Sequence, residues 1–400
     1  MGRINFWSYA INFLWAPLID RLHIPFLSKK IGHRKSWIIL MQVVIFISLL
    51  IWSFLDPSKN LWLVIAVGLG IAISSATQDI TIDALRIEQI SEHEKDLLSA
   101  GAAISVVGWW TGYKIGGLVS LISADILQQQ GVENYWQISF LILSAIIVFC
   151  SIGLFFIPEK NSDNKIKLQN LADQKIIKRI GTSNNFIKIF AWLYGTVINP
   201  LLSFFKKNTF QVAVGILGFI FLFKIGEAFL GRMSLVFYKE IGFSKTDIAL
   251  YSKGIGWLTT VTFTLLGGLF AVRMGLIKAM FLSGILMALT NLMFSVLAWY
   301  GSSEILFAFT VLIDDLAAAF ATVAFVGFIS ALVDRTYTAT QYALLASIGT
   351  AGRTLFASSS GMMVDWLNGN WIIFFIITAL MVIPSLVCLF LIRKKLNLNE

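Results

Sequence analysis

The sequence predicts an all-α polytopic membrane protein, and three observations lead to this fold class. Of its 400 residues, 57% are hydrophobic and only 13% are charged, about half the charged fraction of a soluble domain. Apolar runs near the length of about 20 residues that a membrane-spanning helix needs recur along the chain. Most Lys and Arg residues lie between these runs, so the net charge of +9 indicates membrane topology rather than nucleic-acid binding.

The apolar runs predict about eleven transmembrane helices. Tryptophans open or close several of the runs, as expected for side chains at the membrane interface. The predicted spans are 4–19, 37–55, 61–78, 98–122, 136–157, 211–237, 248–270, 277–299, 304–331, 341–361 and 371–392.

The distribution of positive charge predicts the orientation of these spans. Alternate connections contain 22 Lys and Arg residues in one set and 4 in the other. Because cytoplasmic loops are the richer in Lys and Arg, the first set is predicted to be cytoplasmic. This set includes the C-terminal segment 393–400, so we expect a cytoplasmic C-terminus.

One long basic connection, residues 158–210, divides the spans into two bundles of five and six. This division is typical of the major facilitator fold, in which each bundle has six helices. The sequence thus predicts a truncated N-terminal bundle over 1–157, a cytoplasmic central loop over 158–210 and a C-terminal bundle over 211–400. Within the loop, Phe186–Phe205 is predicted to be an interfacial amphipathic helix.

Charged residues inside the predicted spans are candidates for the functional site, because a charge in the bilayer is costly unless it is paired or hydrated. An excess of cations facing a cavity favours an anionic substrate, and acids favour exchange of a proton. The alternative is that the charges form interhelical pairs that only stabilise the bundle. The candidates for substrate binding are Lys114, Lys224, Lys253 and Arg353, with Trp257 as an aromatic surface, and those for proton coupling are Glu227 and Asp314.

Spacing gives two more specific expectations about these charges. Lys224 and Glu227 are three residues apart, so they lie on one helical face and can pair. Asp314 and Asp315 are adjacent, hence about 100° apart around a helix, so at most one of them faces a cavity squarely.

A second group of charges lies where the third span ends. Asp79, Asp83 and Arg86 have spacings of four and three residues, so they share one face if the helix continues. Asp20 and Arg21 lie in the basic, glycine-containing turn after the first span. We predict that these five residues form a cytoplasmic gate.

Enzymatic activity is not expected, since no nucleophile–base pair, phosphate-binding loop or metal cluster occurs with the required spacing. Cys150 and Cys388 lie far apart in apolar runs and predict neither a disulfide nor a metal site. We therefore expect no metal and no cofactor.

Several separated motifs resemble the AmpG-type muropeptide permeases, which belong to the major facilitator superfamily. They occur in the family's order from about residue 13 to the C-terminus. The motifs are Phe13-Leu-Trp-Ala-Pro-Leu-Ile-Asp20-Arg21, Ser75-Ala-Thr-Gln-Asp-Ile with Ile82-Asp-Ala84, Gly101-Ala-Ala-Ile-Ser-Val-Val-Gly108, Lys224-Ile-Gly-Glu-Ala228, Lys253-Gly-Ile-Gly256, and Ala339-Thr-Gln-Tyr-Ala-Leu-Leu345 with Gly352-Arg353.

The resemblance implies an importer of the bacterial inner membrane that returns anhydromuropeptides from cell-wall recycling to the cytoplasm by proton symport. The implied partners are an anionic glycopeptide, protons and the lipid bilayer, and we expect a monomer. Compared with the family pattern, the first helix is expected to be absent, Asn12 replaces a Lys and Glu227 replaces an Asp.

Two other functions fit the same residues. The chain could be a non-transporting or degenerate paralogue that binds turnover products as a sensor, which predicts ligand binding without flux. It could also transport another large anionic solute, which competition with muropeptide uptake would distinguish.

Overall fold

The computed structural model describes residues 11–56, 58–91, 94, 97–159, 163–180, 185–244, 248 and 256–396. Within these ranges every regular element is a helix. The first eight α-helices are α1 Ala16–Arg21, α2 Leu27–Ile31, α3 His33–Phe54, α4 Leu61–Gln89, α5 Leu97–Gln129, α6 Tyr135–Leu154, α7 Asp163–Ile180 and α8 Asn185–Lys207.

Nine further α-helices follow in the described part of the chain. They are α9 Phe210–Leu222, α10 Ile225–Glu240, α11 Gly256–Met274, α12 Leu276–Tyr300, α13 Glu304–Leu332, α14 Thr338–Ala357, α15 Ser360–Trp366, α16 Trp371–Leu380 and α17 Ile383–Ile392. Short 3-10 helices cover Asn12–Leu14, Arg335–Tyr337 and Arg393–Lys395.

Helix length and apolarity confirm the predicted polytopic class. In the described part of the chain, seven helical stretches are long and apolar enough to cross a membrane, and Leu258–Met274 is a shorter apolar helix. The seven are His33–Phe54, Leu61–Gln89, Tyr135–Leu154, Phe210–Glu240, Leu276–Tyr300, Glu304–Leu332 and Trp371–Lys395. The predicted spans 4–19 and 248–270 fall partly outside the described residues, so the total of eleven stays a prediction.

The chain forms two compact units. Unit 1 contains Met1–Gln89, Gly112–Phe204 and Val333–Ser347. Its core includes a cluster of buried aliphatic side chains from α1, α4 and α14. Four of the six are alanines, and small residues let helix backbones approach closely. The cluster consists of Ala16, Ile19, Ile80, Ala84, Ala339 and Ala343.

Unit 2 contains Ile90–Thr111, Phe205–Leu332 and Ile348–Glu400. One of its core clusters is rich in aromatic residues, with the Phe237 ring centroid 4.7 Å from that of Phe375 and 5.3 Å from that of Trp371. The Trp371 indole N–H also donates to Glu240 Oε2 at 2.7 Å, which satisfies the one polar atom of that ring. The sequence-based domain ranges, which follow chain order, stay a prediction.

The predicted interfacial segment Phe186–Phe205 lies within α8, which is not among the seven candidate spans. Thr196 on this helix is buried. The Gln341 amide donates to the Pro200 carbonyl at 2.8 Å and to Ser203 Oγ at 2.7 Å. One face of α8 therefore packs within unit 1.

A break between α9 and α10 positions the polar residues of unit 2. Residues 223 and 224 form a turn inside the apolar stretch Phe210–Glu240. Two glycines pack at this break: a Cβ on Gly226 would lie 2.4 Å from the Thr378 carbonyl oxygen, and one on Gly352 would lie 2.0 Å from the Phe221 carbonyl oxygen. The neighbouring helices thus approach the break at backbone-to-backbone distance.

Candidate functional site

A buried ion pair lies at the α9–α10 break. Lys224 precedes the first residue of α10, and Glu227 lies in its first turn, where a carboxylate is favoured by the helix dipole. The Lys224 Nζ lies 3.0 Å from Glu227 Oε2 and donates to Thr322 Oγ1 at 2.8 Å. The Lys224 side chain is 5% exposed and that of Glu227 is 28% exposed. The structure therefore has the pair that the three-residue spacing predicted, with its carboxylate on the more accessible side.

Asp314 of α13 lies close to this pair. It interacts electrostatically with Glu227 and with Lys224, and its carboxylate is hydrogen-bonded with Thr290 of α12. Arg353 of α14 is exposed yet close enough to repel the Lys224 ammonium group. Two carboxylates and two cations thus occupy one region of unit 2, which we call the unit 2 charge cluster (Lys224, Glu227, Asp314 and Arg353).

Buried polar groups of α12 and α13 extend the polar character of this unit. Asn291 is buried next to Thr290, and its Nδ2 has no hydrogen-bond partner among the described residues. The hydroxyl of the buried Thr310 is also without a partner in that part of the chain. Since buried polar groups are nearly always hydrogen-bonded in native proteins, these atoms are candidates for contact with water or a polar ligand.

The other predicted binding residues are distributed differently. Lys114 is half-buried on α5 and belongs to unit 1. Lys253 lies outside the described residues, and so does the side chain of Trp257. Within unit 2, the described structure therefore groups Lys224 and Arg353 with the two acids predicted to exchange protons.

The acids and the base at the end of the third span do share a helix. α4 continues to Gln89, so Asp79, Asp83 and Arg86 lie on one helix as expected. Arg86 Nη2 lies 2.9 Å from Asp83 Oδ1. The phenol of Tyr342 on α14 is hydrogen-bonded to Asp83 and interacts electrostatically with Asp79. This part of the predicted gate connects α4 with α14.

Asp20, which is buried, is the centre of a second charge cluster. Its Oδ1 lies 2.6 Å from Arg34 Nη2 and 3.0 Å from Lys165 Nζ. Glu88 at the end of α4 accepts from the same two cations, at 2.7 Å from Arg34 and 3.2 Å from Lys165. We call these four residues the Asp20 cluster (Asp20, Arg34, Glu88 and Lys165). Two acids and two bases make it electrically neutral.

Asp20 also caps the N-terminus of α14. Its Oδ2 accepts from the Thr340 amide at 2.8 Å and from the Thr340 hydroxyl at 2.7 Å, and Oδ1 accepts from the Ala339 amide at 3.3 Å. Burial opposes ionisation of Asp20, yet Lys165, Arg34 and the Thr340 hydroxyl together hold its pKa well below the usual range. Asp20 is therefore a carboxylate that binds both the cations and the free amides of a helix start.

Arg21, the fifth predicted gate residue, pairs outside the Asp20 cluster. Its Nη1 and Nη2 donate to the two carboxylate oxygens of Asp173 on α7 at 2.6 and 2.9 Å. The predicted gate residues thus form three separate contact sets in unit 1.

Sequence reasoning missed several partners of these residues, namely Arg34, Lys165, Asp173, Thr340 and Tyr342. The basic turn that contains Arg34 and the end of the third span that contains Glu88 were visible as charged segments. By contrast, Lys165 lies 145 residues from Asp20, and a single sequence gives no signal for such a contact.

Comparison with solved structures shows that the chain has the fold of major facilitator transporters. The chain aligns with FucP, a Major Facilitator Superfamily transporter in the outward conformation, at a TM-score of 0.62, covering 97% of this chain and 96% of that one at 12% identity. It aligns with the proton:xylose symporter XylE at a TM-score of 0.62, covering 97% and 84% at 16% identity. These likenesses concern the fold.

Sequence comparison then gives the family. The Major Facilitator Superfamily model matches residues 5–255. The chain is 33% identical to the AmpG 4 protein of Rickettsia conorii, over 98% of this chain and 86% of that protein. It is 28% identical to the anhydromuropeptide permease of Escherichia coli K12, over 98% of this chain and 71% of that protein. This chain belongs to the AmpG-type transporters of the Major Facilitator Superfamily.

Proposed function

We propose that this protein imports anhydromuropeptides across the bacterial inner membrane together with protons, as a monomer with a cytoplasmic C-terminus. Family membership makes it a multi-pass secondary transporter of a small molecule. The 28% identity to a protein named anhydromuropeptide permease supports the substrate class. The basic central loop and C-terminal segment support the orientation.

The Lys224–Glu227 pair at the helix break is the observation on which the coupling mechanism depends. A buried ammonium group that is already neutralised by a carboxylate binds an added anion poorly. If Glu227 takes up a proton, Lys224 loses its counter-charge and becomes the binding group for a substrate carboxylate. Proton and anion then enter together because each restores the charge balance that the other disturbs.

Asp314 and Arg353 have supporting roles in this proposal. Asp314 interacts electrostatically with Glu227 and is proposed as a second group that can exchange the proton. Arg353, exposed beside Lys224, provides a second positive charge for the anion. Lys253 and Trp257 are proposed to complete this binding surface, with the Trp257 ring stacking against a sugar. Lys114 of unit 1 is proposed as a further substrate-binding residue.

The gate residues are proposed to close the cytoplasmic side. Asp20, Arg21, Asp79, Asp83 and Arg86 all bind or approach partners from other helices of unit 1, and these contacts must break for release into the cytoplasm. Their spacing on helix ends is consistent with this role.

Uptake into proteoliposomes tests the proposal. Labelled anhydromuropeptide should accumulate when a proton gradient is imposed, and Glu227→Gln should abolish gradient-driven uptake while retaining substrate binding. Saturable binding without any flux would instead support the sensor alternative. Failure of unlabelled muropeptide to compete with transport of another large anion would support a different cargo.

A further inference from the structure

We propose that helix α7 of the central loop completes the cytoplasmic gate, with Lys165, Gln169 and Asp173 as three further gate residues. The inference deepens the proposed transport function and rests on it for the meaning of the gate. The contacts themselves lie entirely within unit 1.

The three residues lie on one face of α7. Their spacing is four residues each, about one helical turn, so the side chains follow one another along a single stripe. Lys165 binds Asp20 of α1 and Glu88 of α4, the Gln169 amide donates to the Thr336 carbonyl at 3.0 Å, and Asp173 binds Arg21 of α1. Three successive turns of α7 therefore contact α1, α4 and the 3-10 helix before α14, which is more than attachment of a loop helix requires.

Lys165 is required for the charge balance of the Asp20 cluster. Asp20 and Arg34 are almost completely buried, with side chains 1% and 0% exposed. Without Lys165 the two acids would face a single guanidinium, which leaves one buried negative charge uncompensated. Since an uncompensated buried charge is strongly unfavourable, closure of this cluster and docking of α7 favour each other.

Asp173 binds Arg21, the residue that follows Asp20 in α1. The Arg21–Asp173 pair is bidentate, and its side chains are 4% and 15% exposed. Arg–carboxylate pairs of this geometry are among the stronger ion pairs in proteins. A Cβ on Gly195 of α8 would lie 2.2 Å from Asp173 Oδ1 and 2.3 Å from Arg21 Nη2, so α8 covers this pair closely.

Opening of the gate must therefore release α7. Asp20 joins the end of α1 to the start of α14. Lys165 of α7 connects Asp20 with Glu88 at the end of α4, and Gln169 binds Thr336 in the 3-10 helix just before α14. Separation of these ends breaks the contacts of Lys165, Gln169 and Asp173, whereas undocking of α7 removes charge compensation from the closed form. The central loop thus contributes to the equilibrium between closed and open forms rather than only linking two bundles.

Charge exchange within the Arg21–Asp173 pair tests this. In the full-length protein in nanodiscs, Asp173→Arg should raise amide hydrogen exchange across α7 by about tenfold or more, as expected when docking is lost. Combining it with Arg21→Asp should bring exchange back to within about threefold of wild type. Lys175→Glu, a charge change of the same size and opposite sign at an exposed position of the same helix, is the control and should leave exchange unchanged.

A second measurement separates a gate role from simple loop attachment. With Cys150 and Cys388 replaced by Ser, Ala339→Cys places a thiol in the fully buried small-residue core at the α14 start. Asp173→Arg should increase its rate of maleimide labelling several-fold, and Lys175→Glu should not. If Asp173→Arg does not insert in the membrane, Asp173→Asn is measured in the same way and should give a smaller increase in both readouts.

The proposal would be overturned if the Asp173 variants showed the same hydrogen-exchange and maleimide-labelling rates as wild type. It would also be overturned if the amides of α7 exchanged as fast in the double variant with Arg21→Asp as in Asp173→Arg alone. Both measurements are made without substrate. If they behave as expected while anhydromuropeptide uptake is absent, the proposed cargo is wrong and the role of α7 remains supported.

Discussion

At the residue scale, the proposed coupling of proton and anion depends on how the charge of Lys224 is neutralised. Its ammonium group has two described partners, Glu227 and Thr322, and only the first compensates charge. The pair could be expected from the sequence because helical residues three apart lie side by side. The involvement of Thr322 could not, since it lies 98 residues away on another helix.

We predict that Glu227→Gln lowers the free energy of unfolding in detergent by about 1–3 kcal/mol. Loss of one partner of a fully buried pair costs about 3–5 kcal/mol, and the partial exposure of Glu227 reduces this. The double variant Lys224→Met/Glu227→Gln should be less destabilised than the two single changes together, because it leaves no unpaired charge.

Thermal or denaturant unfolding of the purified variants measures this coupling. Lys59 and Asp56 are the matched control, because they are also three residues apart but are 78% and 46% exposed with 3.6 Å between charged atoms. Their removal should change stability by less than about 0.5 kcal/mol. Equal effects at the two pairs would show that burial of Lys224 has no energetic role.

Asp20→Asn should destabilise the protein by about 3–5 kcal/mol, because Arg34 and Lys165 lose a buried partner and α14 loses the carboxylate at its N-terminus. Asp125→Asn, at an exposed position on α5, should have little effect. Unfolding curves of both variants measure the difference.

The pH dependence of the stability difference between wild type and Asp20→Asn follows from the pKa of Asp20. The pKa is lowered in the folded state despite burial, through Lys165, Arg34 and Thr340. A carboxyl group with a lowered pKa stabilises the fold fully above its unfolded value of about 3.9 and progressively less as the pH falls below it. The stability gap between wild type and Asp20→Asn should therefore be constant between about pH 5 and 8. A gap that shrinks from pH 7 to 6 would contradict this assignment.

At the element scale, the break between α9 and α10 is the feature that places charge inside unit 2. The hydrophobic pattern predicted one span over 211–237 and contained no sign of the interruption, since the turn residues Phe223 and Lys224 are compatible with a helix. The cause is tertiary: Gly226 and Gly352 allow the backbones of other helices to approach the break. Such packing cannot be derived from the period of one segment.

We predict that Gly226→Ala and Gly352→Ala each destabilise the protein by about 1–3 kcal/mol, as overpacking does in tight interiors. The added methyl groups would meet carbonyl oxygens of the backbone, which cannot rotate away. Gly231→Ala, on the same helix as Gly226, would meet nothing within 4 Å. It should be neutral or slightly stabilising because alanine has the higher helix propensity.

Unfolding measurements on the three variants compare the effect of the same Gly→Ala substitution on stability at three positions. The glycine contacts are also expected to affect function, since a shift at the break displaces Lys224. Gradient-driven uptake should fall in the Gly226 and Gly352 variants and not in the Gly231 variant. A Gly231 variant as impaired as the other two would indicate that helix flexibility, not packing, is what these glycines provide.

At the scale of the whole molecule, sequence patterns predicted the class of protein well and the assembly of its charges poorly. Composition and the repeated apolar runs are properties of local segments, so the all-helical membrane class followed directly. The Asp20 cluster combines residues from α1, α3, α4 and α7, and its formation depends on the path of the whole chain. Charged connections could be recognised, but their partners could not.

Membrane orientation is the property of the whole chain that the charge bias predicts and that labelling can measure. On a background with Ser at Cys150 and Cys388, single cysteines are introduced at the exposed positions Lys30, Lys59 and Lys394. Because Lys and Arg accumulate on the cytoplasmic side, an impermeant maleimide added to intact spheroplasts should label Lys59→Cys and should label Lys30→Cys and Lys394→Cys only after permeabilisation. Labelling of Lys30→Cys and Lys394→Cys from outside, with Lys59→Cys protected, would invert the topology and with it the cytoplasmic position of the gate. Labelling of Lys30→Cys and Lys394→Cys from opposite sides would instead require an odd number of crossings between them, and the assignment of α8 as an interfacial helix would then be wrong.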